Sequence, residues 1–126
     1  MEERVVHTIH SRLLELHGGA AGLRDEALLQ SALARPRQLF TYASPDFIEM
    51  AAAYTTGIVR NHPFVDGNKR TGFVVGVLFL ETNGWRFAAP EEDATHAILG
   101  RAAGTLDEPG FVSWLRTHVK PSRRRR

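Results

Sequence analysis

Residues 61–73 read Asn61-His62-Pro63-Phe64-Val65-Asp66-Gly67-Asn68-Lys69-Arg70-Thr71-Gly72-Phe73. An imidazole, a carboxylate, a carboxamide, an ammonium and a guanidinium fall between His62 and Arg70, and an almost unbroken apolar run, Phe73 to Leu80, follows. A polar cluster thus stands where a loop enters a helix apolar on every side, which belongs at the centre of a helical bundle. Asp66 reads as the N-cap of that helix, about 67–83, with Gly67, Asn68, Lys69 and Arg70 as its first turn. The free N–H groups and positive dipole end of such a turn suit an anion. Two cationic side chains at a position that usually disfavours them imply a negative occupant.

Working outward, residues 3–16 place Val6, Ile9, Leu13 and Leu16 at helical spacing, and Gly18-Gly19 ends that helix. His7 and His10 on it read as packing or solvated residues, since two histidines alone make a poor metal site. Asp25 caps a second helix to Arg35, with Pro36 just beyond its end. Residues 37–45 read as loop, with a weak alternation around Phe40 and Tyr42 that suggests an extended flap; satellite packing is the preferred role for those aromatics. A third helix opens at Pro45-Asp46 and stops by Asn61, because Pro63 biases His62 away from helical angles. In the fourth, Gly72 and Gly76 form a small-xxx-small pair that permits a close helix crossing. Trp85-Arg86-Phe87 reads as a short extended piece, a fifth helix runs from Pro90 to about Ala103, and a sixth from Glu108-Pro109 carries Phe111, Val112, Trp114, Leu115 and Val119 until Pro121 stops it. The class is all-α, about six helices in one domain over residues 1–120, with a basic disordered tail over 121–126.

The 126 residues, 43% of them hydrophobic, suffice for a real core. Net charge is +2; without the four arginines Arg123–Arg126 the body carries 12 basic and 14 acidic residues, net −2. That balance argues against direct nucleic-acid binding by the body, and the tail reads as solvated. The absence of cysteine excludes disulfides and thiolate metal sites and fits a cytoplasmic location. No signal peptide is seen, and the longest apolar run falls far short of the roughly 20 residues that span a bilayer.

The cluster lacks the usual nucleotide signatures, having neither G-x-x-x-x-G-K-[ST] nor G-x-G-x-x-G after a strand. Its own chemistry is nevertheless coherent. His62 is the natural general base, because an imidazole titrates near neutral pH. Asp66 offers oxygen ligands to Mg²⁺, which takes one or two carboxylates alongside substrate phosphates. Asn68, Lys69 and Arg70 can hold phosphate oxygens, Arg70 bidentately. Phe64 reads as an aromatic that points into the core and pins the loop. These are the parts of a phosphoryl or nucleotidyl transfer site. The bland alternatives are a structural His62, an N-capping Asp66 and solvated cations; on chemistry alone, catalysis and simple anion binding both stay open.

The run His62-Pro63-Phe64-Val65-Asp66-Gly67-Asn68-Lys69-Arg70 resembles the signature of the Fic/Doc superfamily, and more narrowly that of the death-on-curing (Doc) toxins of toxin–antitoxin systems. The likeness extends to Leu16–Gly19, Gly22–Glu26, Leu29–Pro36 and Phe79–Gly84. Lys69 stands where AMP-transferring Fic enzymes have a glycine, and Phe73 where they have a second arginine. The resemblance therefore implies the Doc branch, which binds ATP reversed so that the γ-phosphoryl faces the attacking hydroxyl. It implies a protein kinase acting on a threonine of translation elongation factor Tu, with His62 as base, Asp66 as Mg²⁺ ligand, and Gly67, Asn68, Lys69 and Arg70 around the phosphates. AMP transfer and an inactive interaction module are the alternatives. Ser11-Arg12-Leu13-Leu14-Glu15 partly matches the inhibitory [S/T]-x-x-x-E-[G/N] helix of Fic proteins, but Leu16 fails its last position and the match reads as chance. Control then falls to a separate antitoxin, laid as a helical segment in a groove near the site.

Overall fold

The computed structural model describes residues 1–122. In chain order the elements are α1 (Glu3–His17), α2 (Glu26–Leu39), α3 (Phe47–Asn61), α4 (Asn68–Thr82), β1 (Trp85–Phe87), α5 (Glu91–Ala103), α6 (Glu108–Thr117) and β2 (Val119–Pro121). The fold is helical, with one two-stranded ribbon, in agreement with the all-α class. Among the described residues no helix is long and apolar enough to cross a membrane.

The helix starts follow their capping chemistry. The Leu28 N–H donates to Asp25 Oδ1 at 3.0 Å at the head of α2. Asp46 and Glu49 exchange reciprocal bonds of 2.8 Å at the head of α3, a full capping box. Asp107 accepts from the Gly110 N–H at 2.8 Å at the head of α6.

Five local expectations are corrected. α2 does not stop at Arg35: it runs through Pro36 to Leu39. Proline forfeits one hydrogen bond but keeps helical φ, and Pro36 is fully buried beside Leu33, so packing outweighs the lost bond. The chain then winds on, with Phe40, Thr41 and Ala43 donating to Arg37, Gln38 and Leu39 carbonyls, and no extended flap forms. Phe40 and Tyr42 are 57% and 76% exposed, so they are not the satellite packing expected of them. On α1, Leu16 is exposed and does not continue the inward stripe. Finally, α6 ends at Thr117, and Val119–Pro121 is a strand. It pairs antiparallel with β1 in the register Trp85↔Pro121, Arg86↔Lys120 and Phe87↔Val119. Pro121 steers Lys120 away from helical angles, and β-branched Val119 suits a strand. Ser122 is tied in as well, its N–H donating to the Gly84 carbonyl at 2.8 Å. The remainder of the expected tail, Arg123–Arg126, lies outside the described residues.

The centre is a pair of crossed helices, and the more deeply buried of the two is α3. Every residue from Ala51 to Val59 is buried, whereas α4 buries Thr71, Gly72, Val75, Gly76 and Leu80 and leaves Val74, Val77 and Leu78 half-covered. The small-residue face of α4 lies directly on α3. A Cβ on Gly76 would fall on Thr55 Oγ1 and sit 3.0 Å from the Ala51 carbonyl oxygen. Thr55 Oγ1 in turn donates to the Gly72 carbonyl at 2.8 Å. This crossing holds the C-terminus of α3 and the N-terminus of α4 side by side, joined only by residues 62–67.

Candidate active site

The connecting loop is fixed at nearly every residue. His62 closes α3 in the left-handed region, φ 54° and ψ 55°, with its N–H on the Ile58 carbonyl at 3.0 Å. That conformation is uncommon for a residue with a Cβ and signals a geometry imposed by its surroundings. Arg24 imposes part of it: Nε donates to the His62 carbonyl at 2.7 Å and Nη2 to the Asn61 carbonyl at 2.9 Å. The N–H groups of Arg24 and Asp25 both reach the Pro63 carbonyl, at 2.6 and 3.0 Å. The Val65 N–H donates to the Gly22 carbonyl at 3.0 Å, and Leu23 forms an isolated antiparallel bridge with Phe64.

Phe64 is buried, as its place in the motif implied, and pins the loop to the core. The His10 ring stacks on it at 3.8 Å with 10° between the planes, and His10 Nε2 lies 2.7 Å from the Asp66 carbonyl oxygen. Asn68 closes the loop from the other side. Its Oδ1 accepts from the Phe64 N–H and its Nδ2 donates to the Phe64 carbonyl, each at 2.9 Å. The Asn68 side chain is buried, and each end of its carboxamide makes one bond in this exchange, so it braces the loop at the cavity where the sequence reading placed a phosphate holder.

Asp66 is not the N-cap of α4. Gly67 takes that position in the left-handed conformation, φ 79°, which glycine adopts without strain, and no side chain caps the helix. Asp66 Oδ1 instead accepts from the Gly67 N–H at 2.9 Å, and Oδ2 from the Ala20 N–H at 3.2 Å. The first intrahelical bond of α4 joins the Thr71 N–H to the Gly67 carbonyl. The amides of Asn68, Lys69 and Arg70 therefore have no intrahelical acceptor, as at any helix start.

His62, Asp66, Gly67, Asn68, Lys69 and Arg70 all line a single cavity of about 300 Å³, which Thr95, Ile98 and Leu99 of α5 wall on the other side. His62, Lys69 and Arg70 are exposed to it. The structure thus brings together every residue that the sequence nominated.

Residues 1–80 match the model of the Fic/DOC family. The chain belongs to the Fic/DOC family. It is 31% identical over 110 residues to the protein kinase doc of Escherichia phage P1, a match covering 86% of each chain. It is 44% identical over 75 residues to the toxin Doc of Mycolicibacterium smegmatis (strain ATCC 700084 / mc(2)155), where the match covers 57% of each. The alignment thus spans little more than half of the Mycolicibacterium protein.

In this Fic/DOC chain the site is electrostatically one-sided. Backbone donation from Ala20 and then Gly67 holds the Asp66 carboxyl below its usual range, with smaller help from Lys69 and Arg70. Asp66 is therefore ionised near neutral pH, the one carboxylate in a cavity lining that also carries Lys69 and Arg70. Glu15, the acid of the partial inhibitory match on α1, forms no ion pair with Arg70 among the described residues.

Two positioning residues of the Fic/DOC site escaped the sequence reading. Arg24 lay in Gly22–Glu26, a segment quoted for the family resemblance with no role given to the arginine, and His10 was read as a packing or solvated residue. The available signal was Gly22-Leu23-Arg24-Asp25, a run too short for an element of its own yet carrying a charge beside a glycine.

Proposed function

We propose that this chain is a Doc-type toxin: an enzyme that transfers the γ-phosphoryl group of ATP to a threonine hydroxyl of a translation factor, elongation factor Tu being the expected target, and so arrests translation. The observation that carries this reading is the convergence of His62, Asp66, Lys69, Arg70 and the open start of α4 on one cavity. The Doc-named relatives, one of them named a protein kinase, support the phosphoryl-transfer branch over AMP transfer. Lys69 supports it too, because its side chain stands at the helix start where the AMP-transferring branch has glycine.

In the proposed reaction His62 accepts the proton of the attacking hydroxyl. The new bond joins that oxygen to the γ-phosphorus, the bond from γ-phosphorus to the β–γ bridging oxygen breaks, and ADP leaves. Lys69, Arg70 and the amides at the start of α4 stabilise the charge on the phosphoryl oxygens. Mg²⁺ fits Asp66, an exposed ionised carboxylate whose oxygens each accept a single backbone bond. No cluster of three or more metal-ligating side chains exists among the described residues, so nucleotide oxygens and water would complete the shell. The ion would supply charge neutralisation between the phosphates.

The proposed partner is a separate antitoxin that presents a helical segment near the site. ATP labelled on the α- or the γ-phosphate, added to a cell extract, tests the chemistry. The reading expects target labelling from the γ position only, lost in His62→Ala. Labelling from the α position would establish AMP transfer instead, and undiminished toxicity of His62→Ala would establish a non-catalytic interaction module.

A further inference from the structure

A second cavity, about 370 Å³, lies between α2, α3 and α5 and contains none of the residues assigned to the reaction. Its wall carries Arg35, Arg60 and Arg101, with Ser31, Gln38 and Asn61 between them. Arg101 is the telling residue. It is only 5% exposed, yet its hydrogen-bond acceptors are neutral: Nε donates to Thr56 Oγ1 at 3.1 Å and Nη1 to the Leu106 carbonyl at 2.9 Å. Among the described residues no carboxylate pairs with it. A buried guanidinium with no counter-charge is costly unless an anion from outside completes it.

Arg35 adds a second observation. Its Nη2 bonds Glu108 Oε1, but its buried Nε has no partner. Glu108 offsets one of the three arginines, and two positive charges remain over the cavity. That excess matches a phosphate dianion better than a carboxylate. Several guanidiniums can share the oxygens of a tetrahedral anion through parallel N–H bonds. The volume exceeds what inorganic phosphate fills, and Ser31, Gln38 and Asn61 offer neutral polar contacts to the excess.

We propose that this cavity binds a phosphate dianion, as the free ion or as the phosphate group of a small monoester. Its ligand is distinct from the nucleotide of the reaction, although adjacent residues at one helix end line the two cavities, Asn61 here and His62 there.

The test is calorimetric titration of the Lys69→Met/Arg70→Met double variant, which removes the competing phosphate holders. Inorganic phosphate and phosphoserine are titrated in parallel at constant ionic strength set with chloride. The expected result is saturable binding, roughly ten-fold or more weaker after adding Arg60→Gln, as for the loss of one charge-assisted bond. Ser31→Leu obstructs the wall while keeping every arginine, and is expected to weaken binding without changing the circular dichroism spectrum. Tighter binding of phosphoserine identifies a monoester site, and equal affinity a site for the free ion. No saturable binding in the double variant, or binding indifferent to both Arg60→Gln and Ser31→Leu, overturns the proposal.

Discussion

Arg24 holds the carbonyl oxygen of His62 from the far side of the loop, Nε to oxygen at 2.7 Å, while its second nitrogen holds the carbonyl of Asn61. The base of the proposed reaction is thus oriented through its backbone by a residue that does not line the reaction cavity. Arg24→Ala removes both bonds and leaves His62 in a left-handed conformation with less to enforce it. The expected outcome is a stability loss of about 1–2 kcal/mol and a larger fall in kcat than rise in KM for ATP. Lysine at position 24 restores one bond at most and is expected to rescue partially. An equal loss of kcat and stability in the lysine and alanine variants would contradict a positioning role.

Asn68 should behave as a structural residue. Asn68→Ala strips the buried Phe64 N–H and carbonyl of their partners, at about 1–3 kcal/mol for each group left unsatisfied. Chemical denaturation is expected to show this loss with no nucleotide present. If Asn68→Ala instead retains wild-type stability and loses only ATP affinity, the carboxamide holds phosphate after all.

His62→Ala should separate chemistry from fold. The imidazole is exposed at the cavity, so the variant is expected to keep its unfolding midpoint within a small margin. Transfer from γ-labelled ATP is expected to fall by roughly 10²–10⁴, the usual contribution of a general base.

The acid limb of the stability curve should carry the Asp66 signature. Its folded-state pKa is depressed below the ordinary aspartate value of 3.8, chiefly by donation from Ala20 and Gly67. A depressed carboxyl contributes stability at pH values above its unfolded pKa and loses that contribution as the pH falls through the folded one. Asp46 shifts the same way: burial opposes the shift, but bonds from Glu49 and Arg116 outweigh it. Asp66→Asn is therefore expected to flatten the decline below about pH 3.8, with the Asp46 share remaining; thermal melts across that range read the difference.

Gly76→Ala tests the helix crossing. The added carbon meets Thr55 Oγ1 and the Ala51 carbonyl, so α4 must shift off α3. A cost of about 1–3 kcal/mol is expected, as for other overpacked cores. Thr55→Ala, which removes the struck Oγ1, should relieve only part of that cost, because the Ala51 carbonyl oxygen remains 3.0 Å away.

The six helices were legible because their caps and apolar spacing agree locally: Asp25, Asp46 and the Glu108-Pro109 start each mark an end that the structure keeps. The misreadings arose where tertiary contact overrides a local rule. Pro36 stays helical because it is buried, and Val119–Pro121 becomes a strand because Trp85–Phe87 is there to pair with it. The site residues were legible as a set because they are contiguous. Their individual duties were not, since the roles of Asn68 and Asp66 depend on Phe64, Ala20 and Gly67, and no periodicity announces such partners. Arg24 and His10 reach the loop from 38 and 56 positions away in the chain, distances at which sequence pattern carries no signal.

The close seating of Gly72 and Gly76 against α3 has a mechanical corollary. Because those two helices touch backbone to side chain with no slack, His62 and Arg70 ride on a common chassis and keep their spacing. The opposite wall is suspended more lightly: α5 sinks just Ala97 and Arg101 into the interior. Any change in the width of the reaction chamber is therefore expected at Thr95, Ile98 and Leu99, on the side with the shallower anchorage.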